Sequence, residues 1–320
     1  MRYSNHRQKV IIGVDVGGTA IKIGLFTYTG ELISKDEIKT RQDNNCGYVL
    51  SDTAVQIKKM LNANNIEKAD VEGIGIGIPG PVVNGKVKHS VNLHWKNEVD
   101  VSAILEGLTG FKTVVLNDAN AAGLGEAWMG SGKDRGSMVL VTIGTGIGGA
   151  VVINGNVLVG FNGAGGEIGH ITVESESDRL CNCGRKGCLE NYASATGIVR
   201  TVLELINSGG EGSSLANKKN ISAKDVFNEA KNGDKTALEA IDVFGRYLGR
   251  ALANIAVTVD PEMIVLAGGV AKAGSIVRDV VEKYYREYAF KTVKDIKIEL
   301  AKLQNDAGMY GAARAVLNIR

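Results

Sequence analysis

The sequence predicts a duplicated α/β fold, two halves facing across a cleft, and three observations carry that expectation. The 320-residue chain is 44% hydrophobic and 22% charged, ordinary for a globular protein long enough for two domains, or for one large domain split by a cleft. Its 42 glycines cluster, in "DVGGT" (15–19), "GIGIGIPGP" (73–81), "VTIGTGIGG" (141–149), "NGAGGEIGH" (162–170) and "VLAGGVA" (265–271). Each cluster follows or interrupts an apolar, β-branched run, where glycine lets the backbone approach a ligand closely. Finally, "IIGVDVGGTAIKIGLF" and "MVLVTIGTGIGGAVVI" lie about 130 residues apart and share one plan: apolar strand, Gly-rich turn, apolar strand. That spacing is too long for a solenoid and suits a duplication.

The elements follow in order. "KVIIGVDVGGT" and "AIKIGLFT" read as two strands around a glycine turn. Residues 48–65 have helical apolar spacing, "ADVEGIGIGIPGPVV" is a strand entering a turn, and 112–118 is a buried strand. "ANAAGLGEAWMG" reads as a helix of small residues ending at Gly130. Residues 136–160 give strand, glycine turn, strand and a further hairpin at Asn154-Gly155. Helices dominate after the cysteines: Ser222 with Asp225 resembles a capped start, and 235–260 could form one long helix. "PEMIVLAGG" returns to a strand, and "MYGAARAVLNIR" closes as a helix. No polar linker marks a boundary. The expected division sets 1–118 with about 309–320 as a small lobe, and 119–308 as a large lobe carrying the cysteine loop.

Composition excludes several function classes. A formal net charge of +2 argues against a nucleic-acid surface. No apolar run approaches about 18 residues, so no membrane span is expected. The start "MRYSNHRQKV" lacks the apolar core of a signal peptide, which predicts a cytoplasmic protein with reduced or metal-bound cysteines.

"GTGIGG" (144–149) and "GIGIPG" (75–80) formally match G-x-G-x-x-G, but "AVVI" follows the first and Pro79 sits inside the second. A dinucleotide fingerprint needs a helix there, so a dehydrogenase is disfavoured. A P-loop is absent, since Asp134 follows Gly132-Lys133 where Ser or Thr is required. What remains is phosphate held by the amides of tight glycine turns, two of which could cradle the phosphates of ATP.

His170, Cys181, Cys183 and Cys188 form a complete Cys₃His set for tetrahedral Zn2+. A redox pair is more usually C-x-x-C, and a disulfide is unexpected in a reducing compartment. Four protein ligands fill a structural site and leave no position for substrate, so the metal would order its loop rather than activate a nucleophile. Cys46 stands alone without a role.

Taken together, "DVGGT", "LND", "TIGTGIGG", "GAGGEIGH", "CNCGRKGCLE" and "LAGGV" resemble, in order, the motifs of the ROK family of sugar kinases, from residue 13 to about 311. The resemblance implies an actin-like (ribonuclease H-like) duplicated α/β fold, two lobes around a cleft with ATP between them and the sugar deep inside. "VNLHWKN" and "NYASATGIVR" further resemble the family's bacterial glucokinases, implying transfer to the 6-hydroxyl of glucose.

Such a transfer needs a base, charge neutralisation and in-line positioning. Asp118 ends an apolar strand where a helix begins and is the expected base, as the resemblance also implies; its bland reading is a helix N-cap. Asp15 beside Gly17 and Gly18 would repel phosphate unless Mg2+ intervened. Thr145, between Gly144 and Gly146, could add a hydroxyl. The resemblance adds Thr19, Lys22, Gly268 and Gly269 to the nucleotide side. It assigns Asn92, Asn117, Asp118, Glu167, His170 and Glu190 to the sugar and a zinc to the cysteine motif. It also implies a homodimer. Another sugar, such as N-acetylmannosamine or another hexose, is the nearest alternative. A sugar-responsive regulator is disfavoured because "DVGGT" begins at residue 15, with no room ahead for a helix-turn-helix domain.

Overall fold

The computed structural model describes residues 9–209 and 212–318. The chain divides into two compact units. One comprises Met1–Gly136, Val151–Gly165 and Lys302–Arg320; the other comprises Ser137–Ala150 and Gly166–Ala301. The boundaries expected at 118 and about 309 thus fall at 136 and 302. The reason is that the helix opening at Asp118 packs along the C-terminal helix and stays with the first unit.

The first unit opens with β1 (Val10–Val16), β2 (Ala20–Thr27) and β3 (Leu32–Lys39), an antiparallel meander. A short kinked α1 (Asp43–Cys46) leads into α2 (Val49–Ala63). Then come β4 (Val71–Ile78), the small strands β5 (Val82–Val83), β6 (Lys86–Val87) and β7 (Val99–Asp100), and α3 (Val101–Thr109). β8 (Thr113–Asn117) runs straight into α4 (Asp118–Met129). β4 and β8 are parallel to β1, giving the order β3-β2-β1-β4-β8.

Both faces of this sheet are covered, which is why its strands read as near-continuous apolar runs. Val10, Ile12, Val14 and Val16 of β1 join Ile57 of α2 and Leu105 of α3 in one core cluster. The alternate positions of β1 face the C-terminal helix: Ile11 packs with Met309, and a side chain at Gly13 would overlap the Met309 carbonyl. The period of two therefore puts Asp15 on that same face.

A second sheet repeats the plan; its edge strand and the end of the strand before it fall within Val151–Gly165, which is counted with the first unit, and its other strands belong to the second. β9 (Ser137–Ile143), β10 (Ile147–Ile153) and β11 (Asn156–Val157) precede the cysteine loop. Then follow α5 (Glu190–Ala193), α6 (Ala195–Asn207), α7 (Ala223–Lys231) and α8 (Lys235–Val259). β12 (Met263–Ala267), α9 (Gly268–Ala271), α10 (Ser275–Tyr288) and β13 (Lys297–Leu300) complete it. The order β11-β10-β9-β12-β13 is that of the first sheet, strand for strand. α7 has the full capping box of Ser222 and Asp225, and Asp234 caps α8 by accepting the Ala237 N–H at 2.9 Å. The chain then returns to the first unit as α11 (Ala307–Leu317).

Glycines let α4, α11 and the sheet approach to backbone contact. A side chain at Gly125 would overlap the Ala307 carbonyl, one at Gly311 the Ala121 carbonyl, and one at Gly75 that of Ala312. The "GIGIGIPGP" glycines therefore serve packing more than ligand approach; only Gly77 lies beside Asp118. Among the described residues no helix is long and apolar enough to cross a membrane.

Candidate active site

Parallel α/β sheets bind ligands beyond the carboxyl ends of their strands. In the first unit those ends carry Asp15 on β1, Ile78 on β4 and Asn117 on β8, with Asp15 level with Gly77, and Ile78 with Asn117.

Asp15 stands opposite Lys22 in the β1–β2 register. Its carboxylate lies against Gly308 at the start of α11, where an added Cβ would come within 2.5–2.7 Å of it. No hydrogen bond holds this carboxylate among the described residues. Burial, then the nearby Asp118 charge, push its pKa from 3.8 to about 6, against the lowering effect of Lys22. The Lys22 ammonium donates to the Asn305 carbonyl.

Asn117, rather than Asp118, caps α4. Its Oδ1 accepts the N–H groups of Ala119 (2.9 Å) and Asn120 (3.1 Å), and its Nδ2 donates to the Gly80 carbonyl at 3.2 Å. The carboxamide expected to read sugar hydroxyls is thus largely taken up by the fold. Asp118, the first helical residue, accepts the Ala119 N–H at Oδ1 (2.9 Å). Burial raises its pKa, partly offset by the hydrogen bonds at the helix start.

The turn after β1 is braced from one side. The Gly17 carbonyl accepts the Thr40 hydroxyl (2.7 Å), the Gly18 carbonyl the Gln42 amide, and the Thr19 carbonyl the Thr40 N–H (3.0 Å). The N–H groups of Gly18 and Thr19 have no partner among the described residues. Asn92 is exposed on a neighbouring turn, its Cβ 3.8 Å from where a Gly18 side chain would begin. His94, on the same turn, is exposed with φ +56°.

The second unit builds its turn in the same way. The carbonyls of Gly144, Thr145 and Gly146 accept the Ala195 N–H (2.9 Å), the Thr196 hydroxyl (2.8 Å) and the Gly144 N–H (3.0 Å). The N–H groups of Thr145 and Gly146 are left open among the described residues. Gly268, at φ +89°, presses on the backbone of Ile143, which brings Gly268 and the exposed Gly269 beside this turn. Only glycine fits there, both for the positive φ and for the close approach.

Glu190 opens α5. Its Oε1 accepts from Cys181 Sγ at 2.9 Å, and Oε2 lies 2.8 Å from where a Gly146 side chain would begin. Glu167 is exposed and makes no side-chain cap on the short 3₁₀ turn Ile168–His170.

The donor atoms of His170, Cys181, Cys183 and Cys188 all lie within 4.8 Å of one another. Cys183 and Cys188 Sγ are 3.6 Å apart, and Cys181 Sγ is 3.6 Å from His170 Nδ1. A disulfide needs about 2.05 Å. A tetrahedron with metal–sulfur bonds of about 2.3 Å has edges of about 3.8 Å, so the donor set fits a metal of zinc's size. Nδ1 faces the sulfurs, which leaves Nε2 for another partner. Cys46 is buried under α2, apart from this cluster.

The sequence reading missed two residues. Gly308 forms the floor beneath Asp15; its signal was the small-residue spacing Gly308…Gly311 in the closing helix. Glu126 was the lone acid in a helix of small residues. It is fully buried, accepting the N–H groups of Ser131 (2.8 Å), Lys302 (3.1 Å) and Leu303 (2.7 Å), and so ties α4 to the segment leading to Gly308.

The family model described as "ROK family" matches residues 11–319. The chain belongs to the ROK family. A glucokinase of Halalkalibacterium halodurans is 42% identical over 306 residues, covering 94% of this chain and 92% of that protein. The crystal structure of a ROK family glucokinase from Streptomyces griseus, in complex with glucose and AMPPNP, is 29% identical with a TM-score of 0.76, over 97% and 99% of the two chains. The ROK hexokinase from Thermus thermophilus is 31% identical with a TM-score of 0.84, again over 97% and 99%. The ROK fold of this chain is the actin-like duplicated α/β fold, and the repeated strand order agrees with it.

Proposed function

We propose that the chain transfers the γ-phosphoryl group of ATP to the 6-hydroxyl of glucose, giving glucose 6-phosphate. The observation that carries this reading is the pair of braced turns, Gly17–Thr19 and Gly144–Gly146. In each turn the carbonyls are engaged and the last two N–H groups, those of Gly18 and Thr19 and of Thr145 and Gly146, are open among the described residues, which suits polyphosphate. The glucokinase relatives, one bound to glucose and AMPPNP, support the sugar and the nucleotide.

Asp118 is the proposed general base. Its carboxylate accepts the hydroxyl proton as the oxygen–phosphorus bond forms, and burial, by raising its pKa, makes it a stronger proton acceptor than an exposed carboxylate. Asn117 positions it by holding the start of α4. Asn92, Glu167, His170 through Nε2, and Glu190 are the proposed partners of the sugar hydroxyls. Lys22, Gly268, Gly269 and Thr145 belong to the nucleotide side. Asp15, buried without a hydrogen bond beside a second acid, fits the Mg2+ that accompanies ATP, which when bound neutralises phosphate charge.

His170, Cys181, Cys183 and Cys188 would hold a structural Zn2+, whose chemistry is to cross-link the loop that precedes Glu190. A cytoplasmic setting is proposed, in keeping with a cysteine set whose geometry fits a metal rather than a disulfide. A homodimer is proposed from the family resemblance and is read by sedimentation. Phosphorus NMR of a mixture of protein, MgATP and glucose tests the function: a glucose 6-phosphate resonance is expected, and ATP left intact would overturn the reading.

A further inference from the structure

Within the first unit, a cavity of ≈ 330 Å³ is walled by Thr29, Trp128, Lys133, Asp134, Arg135 and Arg314, among others. It lies at the Met129 end of α4, about 16 Å along the helix from Asp118, and so outside the site described above. Three cations face one acid. That excess of two positive charges in a single concavity equals the net +2 of the whole chain.

Elsewhere on this unit cations pair with acids, as Lys35 does with Asp306, Arg41 with Asp52 and Lys88 with Glu98. Among the described residues Lys133, Arg135 and Arg314 have no such partner. Arg314 stands 5.9 Å above the Trp128 ring. The C-terminal ends of α4 and α11 carry about half a negative charge each. With Asp134 they offset two of the three cations and leave one over.

We infer that this pocket binds a small organic phosphate, the size of a hexose or nucleoside monophosphate. Arg135 and Arg314 offer planar forks that match phosphate oxygens, and Lys133 adds a mobile point charge. Thr29 supplies a hydroxyl partner and Trp128 an apolar wall for the sugar or base. The volume sits at the lower end of ligand pockets, about 300–1,000 Å³, which favours a monophosphate over a dinucleotide.

The test is calorimetry on the full chain at low salt, with glucose and AMPPNP saturating the proposed active site. Glucose 6-phosphate and AMP are titrated separately into the wild type, Lys133→Gln and Arg135→Gln. Both altered side chains are exposed, so the fold is kept, and a thermal melt checks this. Saturable binding of either ligand, weakened about tenfold or more in the variants and by added salt, is expected. Binding of glucose 6-phosphate alone identifies a sugar phosphate, of AMP alone a nucleotide, and of both a site that reads the phosphate. Binding of neither, or binding that both variants leave unchanged, overturns the inference. If glucose and AMPPNP themselves fail to bind, the proposed function fails, and the titrations still read the pocket against its variants.

Discussion

Asn117 takes the capping hydrogen bonds of α4 from Ala119 and Asn120, and this spares the adjacent Asp118 the capping role. Capping thus falls to Asn117, and Asp118 beside it is left for the proposed base role. Asp118→Asn is expected to lower kcat about 10²–10⁴-fold while glucose affinity and melting temperature stay near wild type. Asn117→Ala should cost about 1 kcal/mol of stability and also reduce kcat, because the helix start loses its anchor. Steady-state kinetics beside equilibrium glucose binding separates the two; an Asp118→Asn enzyme with wild-type kcat would remove the base role.

Asp15 links pH to stability. Folding raises its pKa from 3.8 to about 6, so the folded state binds the proton more tightly than the unfolded one. The stability it contributes is full below pH 3.8 and is lost as pH rises through about 6. Above that the ionised group opposes folding by on the order of 2–3 kcal/mol. Asp15→Asn should therefore stabilise the ligand-free protein at pH 8, lose that advantage near pH 4, and raise the Mg2+ requirement of the reaction sharply. Urea unfolding at both pH values, with Mg2+ titrations of activity, checks this; a variant less stable than wild type at pH 8 would contradict it.

Gly308 and Gly311 sit one turn apart on α11 with different neighbours. Gly308→Ala would push on the Asp15 carboxylate, and Gly311→Ala on the Ala121 carbonyl. The first is expected to raise KM for MgATP with a modest loss of stability. The second should cost about 1–3 kcal/mol or more without changing the kinetics of the folded fraction. Equal kinetic profiles would show that Gly308 is only a packing residue.

The His170–Cys181–Cys183–Cys188 cluster predicts about one zinc per chain by metal analysis. Removal by a chelator, or Cys188→Ser, should lower the melting temperature and raise KM for the sugar, with kcat falling less. A metal-free protein that is folded and fully active would contradict the site.

Most of the fold was legible because its signals are local. The paired "VDVGGT" and "TIGTGIGG" turns gave the duplication, which the two identical strand orders show directly. β3 was missed: its strict alternation of half-buried and exposed residues places few apolar side chains in the sequence. The division between units was misplaced because nothing local to α4 says that it packs on a helix nearly 190 residues later. The glycines of "GIGIGIPGP" resembled ligand loops because close approach to a ligand and close approach to a helix demand the same residue. Glu126 acts on backbone, and Gly308 on the Asp15 carboxylate, far away in sequence, which no single segment records.

The most direct test of the whole account is ATP-dependent phosphorylation across glucose, mannose, fructose, N-acetylmannosamine, N-acetylglucosamine and allose, compared by kcat/KM. A clear preference for glucose is the predicted result. Preference for an N-acetyl sugar would contradict the assigned substrate, and no turnover with any of them would contradict the kinase itself.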